Sequence, residues 1–333
     1  MNTKLSIISI AILSVLSLGS CNKSSTTSLV GNWVHLSDFD GSPRSDAVAF
    51  TINGKGYIGT GFDGDNRLAD FWEYNADKDY WVQKASLPGA PRSGAVGFAT
   101  DTMGYIGTGY DGLNKLNDFW EYDPTANAWT QKANFGGTGR YGAVGFALNN
   151  HGYLGTGYDG STLKDFWRYS PDSDTWTQVT SVGGSKRRDA VAFVIDGKGY
   201  IATGINNGVF VSDFWEYTPE TDTWTRKRDI ANTSAETYDD SYAIIRASGV
   251  GFSVNGKGYV GTGGLSSVSN DIWEYNPLTD LWQQKTSLEG AQRTEAVAFS
   301  IGNRGYVLTG RNSSYYFDDN WGFDPNAEYN KYD

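Results

Sequence analysis

One six-residue phrase recurs six times along the chain, and this repetition constrains the fold more than any other feature. It reads Gly56-Tyr57-Ile58-Gly59-Thr60-Gly61 first and returns at 104–109, 152–157, 199–204, 258–263 and 305–310, at spacings of 48, 48, 47, 59 and 47 residues. An apolar run precedes each copy, as at 47–52, 95–100 and 190–195, with a Gly-rich turn between the two. A polar loop follows, then Asp-Phe-Trp-Glu-Tyr (70–74, 118–122, 213–217), and then a Trp-Thr-Gln-Lys type segment (129–132). Four short strands per unit, punctuated by turn signals, match the period of propeller blades.

Composition agrees. Of 333 residues, 42 are Gly, and 12 Trp, 21 Tyr and 16 Phe supply the aromatics. Gly disfavours helices and aromatics suit pleated sheets. Length alone would suggest about two domains, but the tryptophans argue for one. Trp72/Trp81, Trp120/Trp129, Trp167/Trp176, Trp215/Trp224 and Trp273/Trp282 are pairs nine apart, leaving Trp33 and Trp321 single. The position nine after Trp321 is Asn330, so the last unit lacks its fourth strand, and residues 32–36 are expected to supply it. The expectation is all-β: a six-bladed β-propeller over 32–333, four antiparallel strands per blade, closed by the N-terminal strand so that no sheet edge is left open.

The units resemble the kelch repeat, with an Arg before the first strand, a small residue and a Gly closing the second, and a later Trp. The resemblance covers nearly all the chain after the leader; Thr-Gly in place of Gly-Gly is its one departure. It implies the ring that also forms the core of galactose oxidase and of sialic acid mutarotase. Copper oxidase chemistry is not expected. It needs two His and a Tyr–Cys cross-link, whereas the chain has one Cys (Cys21) and two His, His35 in the closing strand and His151 in a distant turn. No metal or other cofactor is expected.

Residues 1–20 carry one Lys and an apolar run from Leu5 to Leu18, the form of a secretory signal. Leu18-Gly19-Ser20-Cys21 resembles a bacterial lipobox, so Cys21 is expected to be lipidated, with 21–31 as a Ser/Thr-rich tether. The expected location is the bacterial envelope, on an outer-membrane anchor facing the periplasm. The net charge of −11 argues against nucleic acid as a partner. A monomer is expected.

In an up-and-down blade, the second–third loop and the link to the next blade share a face. That face varies more in sequence, so recognition is expected there. An Arg enters every innermost strand: Arg44, Arg92, Arg140, Arg187, Arg246 and Arg293. They are either architecture, bridging to the repeated Asp at 70, 118, 165, 213, 271 and 319, or a guanidinium ring for an anionic ligand. Residues just after each Arg break the repeat: Ser45-Asp46, Ser93-Gly94, Tyr141-Gly142, Arg188-Asp189, Ala247-Ser248 and Thr294-Glu295. In kelch proteins that bind peptides such positions touch the partner, and the resemblance implies a similar role here. The 59-residue spacing reflects an insertion at 229–245 with Glu236, Tyr238 and Tyr242, a candidate lid; Tyr315 adds aromatic surface. The primary expectation is a non-catalytic module recognising a protein, peptide or glycan at the channel mouth. The alternative is a sugar mutarotase or epimerase, with Asp46, Asp189, Glu295 or Glu236 as acid–base candidates.

Overall fold

The computed structural model describes residues 29–264, 267–313 and 315–332. The expected leader and Cys21 lie outside the described residues. Six four-stranded antiparallel sheets form the ring. The first blade runs through strands Val48–Ile52, Lys55–Gly59, Phe71–Asn75 and Tyr80–Lys84, and the next four repeat that order. The sixth is built from Val297–Ile301, Arg304–Leu308 and Asn320–Asp324, with Asn32–Leu36 as its outermost strand. Trp33 lies opposite Phe323 in that pairing and stacks on it with ring centroids 4.5 Å apart. The N-terminal closure expected from the unpaired tryptophans is therefore present. Its contacts start earlier than residue 32, because Thr286 donates to the carbonyl of Val30 and Gly31 donates to that of Ala327.

Alternation in the innermost strands buries one side of each. Val48, Phe50 and Ile52 pack with Tyr57, Phe71, Ile106 and Tyr122, so this cluster joins the first blade to the second. The first Gly of the repeated phrase follows from that packing. A Cβ on Gly104 would lie 2.4 Å from the Phe50 ring, and Gly56 meets Phe299 in the same way. The Thr-Gly pair closes the second strand with two successive left-handed residues, φ 61° at Thr60 and 104° at Gly61. That turn aims the Gly61 N–H at the carbonyl of Arg92 in the next blade, 2.8 Å away. The Gly310 N–H reaches the Arg44 carbonyl at 2.7 Å and completes the circle.

The six arginines are at most 2% exposed. Arg92 is typical. Its Nη1 and Nη2 donate to both carboxylate oxygens of Asp118 (2.7 and 2.6 Å), Nη1 also reaches Thr108 O, and Nε donates to Ala90 O. The second Asp118 oxygen also accepts the Trp120 indole N–H at 2.7 Å. Each guanidinium is thus spent inside its own blade, while the backbone of the same residue holds the preceding one: Arg92 N donates to Leu68 O. The architectural reading of the Arg–Asp repeat is the one that forms. A ring of six guanidiniums facing the channel does not, because a buried charge requires a full set of partners.

The fourth blade departs from the pattern. There Arg187 meets the Asp213 carboxylate through Nη2 alone, with Nη1 turned to the Asp213 backbone carbonyl. Ser185 N takes the second carboxylate oxygen, and the Trp215 indole N–H is buried without an acceptor among the described residues.

Candidate functional site

Six residues just past the arginines form the mouth of the channel: Asp46, Gly94, Gly142, Asp189, Ser248 and Glu295. Each N–H donates to the carbonyl of its counterpart in the blade before, at 2.8–3.0 Å, and the six bonds close into a ring. All six have φ between 53° and 61°. This backbone requirement explains part of the sequence, since Gly and Asp tolerate the left-handed region better than most residues. It does not explain Glu295. There the side chain is held by Arg311, whose Nε and Nη2 donate to the two carboxylate oxygens at 2.6 and 2.8 Å.

Above this ring lies a cup of about 420 Å³. Its floor holds the carboxylates of Asp46, Asp189 and Glu295, with Ser248 between the last two. Its wall comes from a second set of positions, the residue after each Thr-Gly and the return of the loop that follows. Arg67 lies over the rings of Phe62 and Tyr110, at 5.4 and 4.7 Å to their centroids. Tyr110 contacts Tyr141, and Tyr141 contacts Tyr158, with centroids 5.7 and 5.5 Å apart. Lys115 and Arg188 approach the Tyr158 ring at 5.8 and 5.9 Å. The wall is thus a continuous arc of aromatic rings and cations across the first four blades.

The charges are unequally committed. Glu295 is neutralised by Arg311 and Asp189 is paired with Arg188. The Asp46 carboxylate has no hydrogen-bond partner among the described residues, and the Arg67 guanidinium has neither a hydrogen bond nor an ion pair among them. Burial, reinforced by Glu295 and Asp189, pushes the Asp46 carboxyl well above the usual carboxylate range. Asp46 keeps some exposed surface and lines the cup. Burial likewise raises Asp189 to about 6, with Arg188 pulling against it and Glu295 adding to it. Acids tuned toward neutrality beside a cavity are the usual equipment of proton transfer. Among the described residues, no three His, Cys, Asp or Glu side chains are grouped to hold a metal ion.

Of the residues singled out in the sequence, Asp46, Asp189, Glu295, Tyr141 and Arg188 meet in this cup. Glu236, Tyr238, Tyr242 and Tyr315 do not. No residue of the 229–245 insertion lines the cup, and the insertion's ends are anchored by fully buried Ile230 and Ile244 in the core between the fourth and fifth blades. There the Tyr242 hydroxyl accepts the backbone N–H of Trp282 at 2.9 Å, and Arg228 lies 4.2 Å over the Tyr238 ring. Glu236 is exposed on that wedge, and Tyr315 packs on Phe317 at the rim of the sixth blade. Arg67, Tyr110, Lys115 and Tyr158 were missed. A signal was available for Tyr110 and Tyr158, since the residue after Thr-Gly is Phe62, Tyr110, Tyr158, Ile205, Gly264 and Arg311 in turn, a varying position in a constant frame.

Residues 157–183 and 186–229 match the sequence profile of the Kelch motif. The chain carries kelch motifs. The matched kelch segments span the outer part of the third blade and most of the fourth, and the other blades repeat their register. Among solved structures, that of YjhT superposes with a TM-score of 0.71 at 17% identity, covering 86% of this chain and 96% of that one. Because 843 solved chains match and the identity is low, this likeness carries the kelch-type fold and nothing finer. No curated protein matches the chain.

Proposed function

We propose that the cup is the binding site of a small acidic carbohydrate. The observation that carries this reading is the uncommitted Arg67 guanidinium, stacked on Tyr110 and Phe62, on the wall of a cavity whose floor is acidic. A guanidinium without a carboxylate partner suits a ligand carboxylate. Tyrosine faces suit the C–H face of a sugar ring, and floor carboxylates accept hydrogen bonds from its hydroxyls. A volume of about 420 Å³ suits a ligand of one or two sugar units. A long peptide or a protein would have to insert a side chain here rather than lie across it.

A second reading is supported by the raised carboxyls of Asp46 and Asp189. In mutarotation a base takes the proton of the anomeric hydroxyl while an acid protonates the ring oxygen; the ring opens to the carbonyl form and recloses on the other face. One ionised and one protonated carboxyl on the same floor supply both roles, with Asp46 as the first candidate.

The test is calorimetry with N-acetylneuraminate, glucuronate and galacturonate, beside their neutral counterparts. Binding of an acid that is lost in Arg67→Ala supports the site. Binding that Arg67→Ala leaves unchanged would sink it. Exchange NMR of the bound sugar's anomers, in the wild type and in Asp46→Asn, separates binding alone from mutarotation.

We further propose that the protein is anchored in the bacterial envelope through a lipid on Cys21, supported by the Leu18-Gly19-Ser20-Cys21 sequence. Labelling cells with a tagged fatty acid tests it. Equal label in wild type and Cys21→Ala would refute it.

A further inference from the structure

Among the described residues, Asp46, Arg67 and Lys115 are the charged groups of the cup left over when its ion pairs are made, and of the two cations only Arg67 acts on Asp46. Glu295 holds Arg311 through two hydrogen bonds, and Asp189 holds Arg188. Asp46 is joined to both acidic neighbours through the backbone ring, where it donates to the Glu295 carbonyl at 3.0 Å and sits three places from Asp189. The groups facing it are therefore two carboxylates, Glu295 and Asp189, and two guanidiniums, Arg311 and Arg67. Lys115, Arg188, Tyr110, Tyr141 and Tyr158 line the rest of the cavity. Of the guanidiniums, only Arg67 is free to change partner.

We propose that anion capture at Arg67 is coupled to uptake of one proton by Asp46, so that the cup takes its ligand as an anion plus a proton. The inference rests on the acidic-carbohydrate reading above. A bound carboxylate neutralises the one uncommitted cation near Asp46 and places another negative charge over the floor. Both changes raise the cost of ionised Asp46, in a site where little water screens the charges. A proton from solvent then joins the Asp46 carboxylate; one O–H bond forms and no bond in the ligand breaks. Protonated Asp46 turns from an acceptor into a donor and can hydrogen-bond a ligand oxygen. The direction agrees with Asp46 in the empty cup, which burial, Glu295 and Asp189 push up while Arg311 and Arg67 pull down. By linkage, the same proton that follows the anion must tighten its binding.

Two measurements test this. Calorimetry of N-acetylneuraminate and glucuronate, repeated in buffers of different ionisation heat, counts protons taken up. Across pH about 5–9 the wild type should take up protons with the anion, up to one per anion between the Asp46 midpoints of the empty and the loaded cup, and its affinity should fall by up to about tenfold per pH unit across that interval. Asp46→Asn should bind without uptake. Zero uptake in the wild type, or equal uptake in Asp46→Asn, overturns the coupling. The second measurement needs no ligand. Carboxyl-carbon NMR follows Asp46 through its titration in wild type and Arg67→Ala, and removing Arg67 should raise the midpoint. An unmoved midpoint overturns the coupling whatever binds. If neither acid binds but the midpoint rises, the coupling stands and the acidic-carbohydrate reading falls.

Discussion

The Asp46 N–H donates to the carbonyl oxygen of Glu295 at 3.0 Å, and this bond joins the first blade to the sixth at the channel mouth. Both residues have left-handed backbones, φ 53° and 57°. The mouth thus asks two things of each position, a backbone conformation and a side chain, and the two can be separated. Glu295→Gly keeps the conformation at no steric cost and removes the carboxylate that Arg311 holds. It should change stability by no more than about 1 kcal/mol, while tightening the binding of an acid, because Arg311 is released and a negative charge leaves the floor. Thermal melts beside calorimetry check this; a lost fold would mean that the Glu295–Arg311 pair is structural.

The carboxylate floor should make the protein less stable as pH rises. Asp189 titrates at about 6 in the folded ring, above its value in an unfolded chain, because burial penalises its charge. Between pH about 4 and 6 the folded state therefore holds more protons, and stability falls as pH rises through that window. Above pH 6 the penalty is constant. Asp189→Asn removes it, so the variant should match wild type near pH 4 and exceed it by roughly 2 kcal/mol at pH 7. Urea unfolding at several pH values is the check. A variant less stable than wild type at pH 7 would show that its pairing with Arg188 outweighs its burial.

The Arg–Asp forks carry the opposite sign. Burial pushes Asp70, Asp118, Asp165 and Asp271 up, but the guanidinium and indole donors outweigh it and hold each carboxyl below the usual range. Their stabilisation is full above about pH 4 and is lost as pH falls further. Arg92→Ala leaves Asp118 without its fork and should cost about 3–5 kcal/mol. Arg187→Ala should cost less, because Asp213 meets Arg187 through one oxygen and keeps the Ser185 N–H on the other. Denaturant midpoints of the two variants give the comparison; equal losses would show that the fourth blade's altered fork is as strong as the others.

The frame of this protein is written in what repeats, and its site in what does not. Trp33 and Trp321 stood out because every other Trp had a partner nine residues away, and that asymmetry located the closing strand. Asp46, Asp189 and Glu295 were legible because they vary beside an invariant Arg. Arg67 and Lys115 were not, since they sit in polar loops whose return path depends on the small pairings Phe62–Arg67 and Tyr110–Lys115. No periodicity marks such pairings. The insertion misled for a related reason. Its tyrosines look like binding surface, but Ile230 and Ile244 at its ends decide that it packs as a wedge.

The closing strand offers the most direct test of the ring. Asn32–Leu36 pairs residue by residue with Asn320–Asp324, and Trp33 is fully buried between Phe323 and the fifth-blade segment whose Thr286 carbonyl accepts its indole N–H at 3.1 Å. Trp33→Ala removes one of the largest buried side chains and should cost about 3–5 kcal/mol. Deleting 29–37 goes further, because it exposes the edge of Asn320–Asp324 as a template for pairing with another chain. The truncated protein should melt lower and associate as its concentration rises. A synthetic peptide of residues 29–40, added in trans, should restore the melting temperature and reverse the association. Light scattering and thermal melts with and without the peptide read this out. A truncated chain that melts like wild type would show that the ring does not depend on the N-terminal strand.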